Sequence, residues 1–355
     1  MKSKVFKYFG FIVLFALAGL LVCVLIPRRY DVLTLKNRTN IQFWTLSKGS
    51  KIAYTLIPAK RIRKPYPVIF LQGGPGGFIS ESTIASLAPL SEDGFDVYLY
   101  DQVGSGHSAR LENIKEYTAE RHIRDLEEIV KKTGAEKVIL IGQSWGAILA
   151  VLFIADYPEK VEKVVFTGPG PIQPIHAELA KIKPPDSLNL KEPLFSNAQA
   201  NKSVHNLRSK FMLKWALLSG CKLASDQEAD AFQTLLNNSL NKAIVCDTSI
   251  EIQANGGAGF YAQVMTVRSF TELKDPRSDV ANCTIPVLIM KGQCDNQKWG
   301  FTREYLELFQ NHRLVVIPGA GHSISIEQPE IYIQTIRDFL LKSPTDEIAI
   351  PSRIP

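Results

Sequence analysis

From Val68 onward the chain is punctuated by short, unbroken apolar runs rather than by alternating ones. They are Val68 to Leu71, Val97 to Tyr100, Val138 to Ile141, Val164 to Phe166, Val287 to Met290 and Leu314 to Ile317. Runs of this length, bounded by turn residues, read as strands buried on both faces, the pattern of a parallel sheet covered by helices. Helical stretches lie between several of them. Thr118 can cap a helix in which Ile123, Leu126, Ile129 and Val130 share one face, and Gly134 stops it. Gly146 to Ala155 is apolar nearly all round and predicts a buried helix. Upstream, Ile41 to Leu46 and Lys51 to Leu56 alternate loosely about the turn Ser47-Lys48-Gly49-Ser50, which predicts an antiparallel hairpin. Strands alternating with helices indicate an α/β domain, mostly parallel, with helices on both faces of the sheet.

The alternation breaks between about Gly170 and Pro276. That stretch holds helical patches (Val204 to Leu218, Asp226 to Leu240) but no strong buried strand, and strands resume after Ile285. The expected organisation is an N-terminal segment over residues 1–29 and a first part of the sheet domain over 30–169. A helical cap insertion over 170–276, a second part of the sheet domain over 277–342 and a tail over 343–355 follow. A chain of 355 residues is long enough for one large domain of roughly 250 residues with such an insertion. At 45% hydrophobic and 21% charged it is too apolar to be disordered.

Phe9 to Ile26 is uncharged and almost wholly apolar, follows Lys2, Lys4 and Lys7, and precedes Arg28 and Arg29. A run of ~18–20 apolar residues is about what a bilayer-spanning helix needs, so an uncleaved membrane anchor is expected. Two rival readings stay open. A cleaved signal could end at Ala16-Leu17-Ala18, but seven more apolar residues follow Gly19. A lipid-modified Cys23 would follow Val22, which is not small. The amine and three lysines before the run slightly outweigh the two arginines after it, which places the N-terminus in the cytoplasm and the remaining chain outside it. The net charge of +6 is modest and scattered, so it is no nucleic-acid footprint. Besides Cys23 there are Cys221, Cys246, Cys283 and Cys294, which allow three complete pairings or buried free thiols and match no zinc spacing. No cofactor or metal is expected.

The strongest chemical signal is Gly142-Gln143-Ser144-Trp145-Gly146, between a buried strand and a buried helix. That is the context of a nucleophile elbow, in which the glycines let strand and helix approach and the serine hydroxyl projects from the top of the sheet. Serine needs a base within hydrogen-bond reach to act as nucleophile, and in this architecture the partners follow in the order serine, acid, histidine. Asp295 lies in Gly292-Gln293-Cys294-Asp295 and His322 in Gly319-Ala320-Gly321-His322, each on a loop just past a strand end. His107 and His122 precede the serine, His176 and His205 fall in the cap, and His312 precedes its strand. The expected triad is therefore Ser144, His322 and Asp295. The glycine-rich turn Gln72-Gly73-Gly74-Pro75-Gly76-Gly77 after the first buried strand leaves backbone N–H groups open, and it matches neither phosphate-loop pattern. The N–H groups of Gly74 and Trp145 are the expected oxyanion hole. Asp101 to Ser108 reads as a structural turn near the site, and Asn255-Gly256-Gly257-Ala258-Gly259 as a flexible loop.

Taken together, Gln72 to Gly76, Asp101 to Ser108 and Gly142 to Ala147 resemble the H-G-G-P-G loop, D-Q-R-G-S-G-x-S turn and G-G-S-W-G-S elbow of the prolyl iminopeptidase-like branch of the α/β-hydrolases. The resemblance spans most of Val68 to Leu341. It implies the α/β-hydrolase fold and release of N-terminal residues, often proline, from short peptides through an acyl-enzyme. Gln72 stands in place of the loop histidine and Val103 in place of the arginine. The family's W-x-x-W-E, whose glutamate binds the substrate amine, is met only by Trp215-Ala216-Leu217-Leu218-Ser219, and Glu251 is a candidate substitute for that glutamate. An aminopeptidase acting on peptides is the first reading, an esterase or other acyl hydrolase with the same triad the second. A silent binding protein would be expected to have lost a triad member, and none is lost.

Overall fold

The computed structural model describes residues 2–202, 204–252 and 255–341, and within this range the side chains of residues 2–7, 10, 16, 17, 20 and 21 are not described. The tail over 343–355 lies outside the described residues.

Eight strands form one sheet in the order β1-β2-β4-β3-β5-β6-β7-β8. They are β1 (Gln42–Thr45), β2 (Lys51–Ile57), β3 (Val68–Leu71), β4 (Val97–Tyr100), β5 (Val138–Gln143), β6 (Val161–Thr167), β7 (Val287–Gly292) and β8 (His312–Ile317). The hairpin β1–β2 is antiparallel, with Gly49 at φ 79° in its turn, and β2 joins β4 antiparallel; every other neighbour pair is parallel.

The continuous apolar runs have a simple physical reason. Successive side chains of a strand point to opposite faces, so a strand covered twice must be apolar at every position. Val138 and Leu140 of β5 pack on one face beside Ile123, Leu126 and Ile129 of helix α2 (Ala119–Thr133) and with helix α3 (Trp145–Asp156). Ile139 and Ile141 face the other way, toward Leu87, Leu90 and the helix near the C-terminus that carries Tyr332, Ile336 and Phe339. Helix α2 starts where expected, with the Thr118 hydroxyl accepting from the Arg121 N–H, and stops at Gly134 at φ 72°. Helix α3 is buried at every position from Trp145 to Ile154.

Between β6 and β7 the described residues form helices and no strand. The longest are α4 (Leu207–Ser219), α5 (Asp226–Leu240) and α6 (Phe260–Ser269). The Asn255–Gly259 stretch is a correction to the sequence reading, because it packs closely against the core. The Gly106 N–H donates to the Gly257 carbonyl (2.7 Å), the Gly259 N–H donates to the Gly76 carbonyl (3.0 Å), and a Cβ on Gly259 would meet the Gly104 carbonyl oxygen at 2.2 Å. Its glycines serve close backbone contact rather than mobility.

The N-terminal expectation also changes. The apolar run is helical, as α1 (Lys2–Leu25), yet among the described residues no helix is long and apolar enough to cross a membrane. Five positions of the run lack described side chains, and its last turn is held by protein. Val24 is buried and its carbonyl accepts from the Arg208 guanidinium, while the Arg28 N–H donates to Glu228 Oε1 (2.9 Å). Arg208 and Glu228 form a buried ion pair between α4 and α5.

Candidate active site

Strand β5 delivers Ser144 at φ 54°, ψ −113°, a conformation that costs a non-glycine residue about 1–3 kcal/mol and persists only where its surroundings fix it. Here they do. A Cβ on Gly146 would stand 1.9 Å from the Leu71 carbonyl oxygen, and one on Gly142 would stand 2.5 Å from the Gly146 carbonyl oxygen, so only glycine at both positions lets β3, β5 and α3 meet. The Ser144 N–H donates to the Thr167 carbonyl (3.1 Å) at the end of β6. The Ser144 side chain makes no helix cap, and Ser144 is half-buried. The chain just past β3 lies against it, since a Cβ on Gly73 would be 3.9 Å from Ser144 Oγ.

The loops after β7 and β8 meet behind the next residue, Gly168. The Gln293 N–H donates to the Ile317 carbonyl and the Cys294 N–H to the Ala320 carbonyl, bringing Asp295 and His322 together. His322 Nδ1 lies 2.9 Å from Asp295 Oδ1, and the Gln297 N–H donates to the same oxygen (3.0 Å). A Cβ on Gly168 would sit 2.9 Å from His322 Nδ1, so that glycine makes room for the ring. Burial pushes the Asp295 carboxyl up, but the Lys291 ammonium and then His322 outweigh it and hold the group at about 2. An ionised carboxylate only accepts hydrogen bonds, so Nδ1 carries the ring proton and Nε2 is left as the basic nitrogen. His122, by contrast, is fully buried against Thr266 Oγ1 (3.1 Å), and burial lowers it to about 4.

Supporting residues surround the site, some inside the Asp101–Ser108 turn expected near it and others, such as Glu327, outside any motif. Gln102, which follows Asp101 after β4, is buried and holds the glycine turn from behind. Its Oε1 accepts from the Gly76 N–H (3.0 Å), and its Nε2 donates to the Gln72 and Gly73 carbonyls (2.8 and 3.1 Å). Asp101 is tied by Arg38 Nη1 at 2.7 Å and by the N–H groups of Ile79 and His107. The D-Q dipeptide was the available signal. Glu327 accepts from the Gly321, Cys246 and Asp247 N–H groups, stitching the histidine loop to the loop around residue 246. A disulfide joins Cys246 to Cys294, the residue before Asp295, and leaves Cys23, Cys221 and Cys283 free.

A cavity of about 190 Å³ opens at Gly74, Ser144 and Trp145. Ile148, Val267 and Phe270 make apolar walls, Ser144, Gln173 and Gln297 are its polar residues, and among the described residues none that lines it is charged. Trp145 is buried and stacked on Phe270 (5.2 Å between centroids). Glu251 is exposed on a loop and Trp215 is exposed on α4, and neither borders this cavity. The structure thus places Gly74, Ser144 and Trp145 on one cavity, joins His322 to Asp295 beside Gly168, and leaves Glu251 off that cavity.

Comparison with known proteins agrees with the architecture. A family model described as alpha/beta hydrolase fold matches residues 66–329. A proline iminopeptidase of Heyndrickxia coagulans is 27% identical over 282 residues, covering 77% of this chain and 90% of that protein. Among solved structures, the proline iminopeptidase of Mycobacterium smegmatis superposes with a TM-score of 0.55 at 18% identity, covering 85% of this chain and 98% of that one. An esterase from Exiguobacterium antarcticum does so with a TM-score of 0.55 at 18% identity, covering 85% and 99%. Structural likeness at this identity speaks for the fold alone, and it does not separate the peptidase from the esterase. The sheet order, the elbow and the matched span of the family model lead to one statement of kinship: the chain belongs to the α/β-hydrolase family and is a hydrolase similar to proline iminopeptidases.

Proposed function

We propose that the chain is a serine hydrolase working through an acyl-enzyme. The observation that carries the reading is the His322–Asp295 hydrogen bond, made by two loops at strand ends beside the Ser144 elbow. In the first step His322 Nε2 takes the Ser144 hydroxyl proton as Oγ bonds to the substrate carbonyl carbon. The Gly74 and Trp145 N–H groups stabilise the oxyanion, and the proton then passes to the leaving group as its bond to carbon breaks. Water repeats the sequence on the acyl-enzyme, returning the proton to Ser144 and releasing the acid.

The relatives support an aminopeptidase that removes an N-terminal residue, proline foremost. A cavity of about 190 Å³ is small beside the ~300–1,000 Å³ of drug-sized sites, which suits a single small residue. One observation favours a second reading, a neutral acyl hydrolase: among the described residues no carboxylate lines the cavity to pair with a substrate ammonium. The two separate on one measurement, kcat/KM for prolyl and alanyl amides with and without an N-terminal acetyl group. A buried polar partner left unpaired costs ~1–3 kcal/mol, so an aminopeptidase should prefer the free amine by about tenfold or more. A ratio near one gives the enzyme to acyl substrates instead.

For the N-terminal helix we infer attachment to a membrane, with the catalytic domain on the extracytoplasmic side. Support comes from the apolar run itself, from the exposure of Phe9, Phe11, Ile12, Leu14 and Phe15, and from the Cys246–Cys294 disulfide, which suits an oxidising compartment. The full chain should sediment with membranes, resist salt extraction and come off with detergent, whereas a chain starting at Tyr30 should stay in the supernatant. Full-length protein released by salt alone would defeat this inference.

A further inference from the structure

Just before the loop that carries Asp295 lies a group that the proposed mechanism does not use. Lys291, the penultimate residue of β7, has a side chain only 2% exposed, and that of Asp295 is fully buried. Lysine is rarely buried so completely, because its ammonium loses its hydration shell and must be compensated. Its Nζ donates to the Gln297 carbonyl (2.8 Å) and lies 3.3 Å from Asp295 Oδ2. Asp295 Oδ1 meanwhile accepts from His322 Nδ1 and from the Gln297 N–H. The ammonium and the imidazole therefore approach opposite oxygens of one carboxylate, and Gln297, which borders the cavity at Ser144, is fastened at both its N–H and its carbonyl.

We propose that Lys291 is a positioning residue for the reaction. It acts through Asp295, fixing the carboxylate that His322 bonds and the 295–297 turn. The proposal rests on the triad assigned above.

Two features separate this role from that of a structural ion pair. A structural pair would serve equally well anywhere in the core, whereas this one shares its carboxylate with the base. The ammonium also places a second positive charge near the imidazole. A positive imidazole formed during turnover would meet repulsion from that charge and attraction from Asp295. The titratable groups acting on the carboxyl are Lys291 from β7 and His322 from the loop after β8. Removing the first leaves His322 and the Gln297 N–H as the carboxylate's partners. The protonated, inactive pair is then favoured, and the acid limb of activity moves to higher pH.

The test compares full-length wild type with Lys291→Met, which deletes charge and donor, and Lys291→Gln, which deletes the charge and keeps an N–H donor. Active sites are counted by fluorophosphonate labelling at Ser144, and kcat and KM are followed from pH 4 to 9 per labelled site. In both variants the acid limb of kcat/KM should move up by about one pH unit, as expected for one like charge removed from within several ångströms. KM on the plateau should stay within about twofold of wild type, and kcat of Lys291→Met should fall about tenfold. Unchanged limbs in labelled, folded variants would overturn the proposal. So would failure of both variants to fold, which makes the lysine structural. A wild type that does not label at Ser144 removes the triad itself, and the inference falls with it by a distinguishable route.

Discussion

Ser144→Ala should leave a folded protein whose turnover drops by about four to six orders of magnitude with KM little changed, because the proposed nucleophile acts in the transition state rather than in binding. The fold should tolerate the change. The Ser144 side chain caps no helix, and the glycines at 142 and 146, which set the approach of β3, β5 and α3, are untouched. Alanine inherits the backbone strain at φ 54°, so the melting temperature should barely move. Ser144→Gly provides a second arm. Glycine occupies positive φ freely, so this variant should melt higher, by about 1 kcal/mol in stability, while being just as inactive. A more stable but dead enzyme is the signature of a strained nucleophile. Turnover within about a hundredfold of wild type in either variant, or fluorophosphonate label on another serine, would move the chemistry away from Ser144.

What the sequence revealed and what it hid divide along a physical line. Strands covered on both faces must be apolar at each position, so β3 to β7 were visible as runs; β8 was visible too, although at the sheet edge only its Ile317 is buried. The elbow was visible because strand, glycine, serine and helix are consecutive. Caps such as Thr118 and Gly134 are equally local. The hidden features depend on partners far along the chain. Gln102 matters through carbonyls about thirty residues upstream, and Cys246 pairs with Cys294 across 48 residues. Asn255 to Gly259 looked loose because glycine clusters usually are, yet their backbone is what Gly76 and Gly104 need for contact. Lys291 reads as a surface residue at a strand end until burial and the carboxylate beside it are known. Glu251 was singled out by charge alone, and its exposed loop position gives it no contact with the cavity.

Asp295→Asn is expected to combine the second-largest loss of activity with a loss of stability, and the two should be separable. An asparagine that turns its NH₂ toward His322 makes Nδ1 accept, which leaves the proton on Nε2, where it blocks the base. The expected cost is about ten-thousandfold in kcat with modest change in KM. The stability effect has another origin. Asp295 is also the carboxylate beside the buried Lys291 ammonium, and breaking a buried pair on one side typically costs about 3–5 kcal/mol. At ~2–4 °C per kcal/mol for a domain of this size, the melting temperature should fall by roughly 10 °C. The sign with pH follows from the depressed carboxyl. Held at about 2 against an ordinary 3.8, Asp295 contributes stability that is fully present above about pH 4 and is lost as pH falls through 2. The gap between wild type and variant should therefore persist across neutral pH and narrow only in strong acid. Adding Lys291→Met to Asp295→Asn removes the stranded ammonium, so the double variant should regain much of the melting temperature and none of the turnover. Near-normal kcat in the single variant would assign the acid to another carboxylate, and a double variant no more stable than the single would show that the lysine had found another partner.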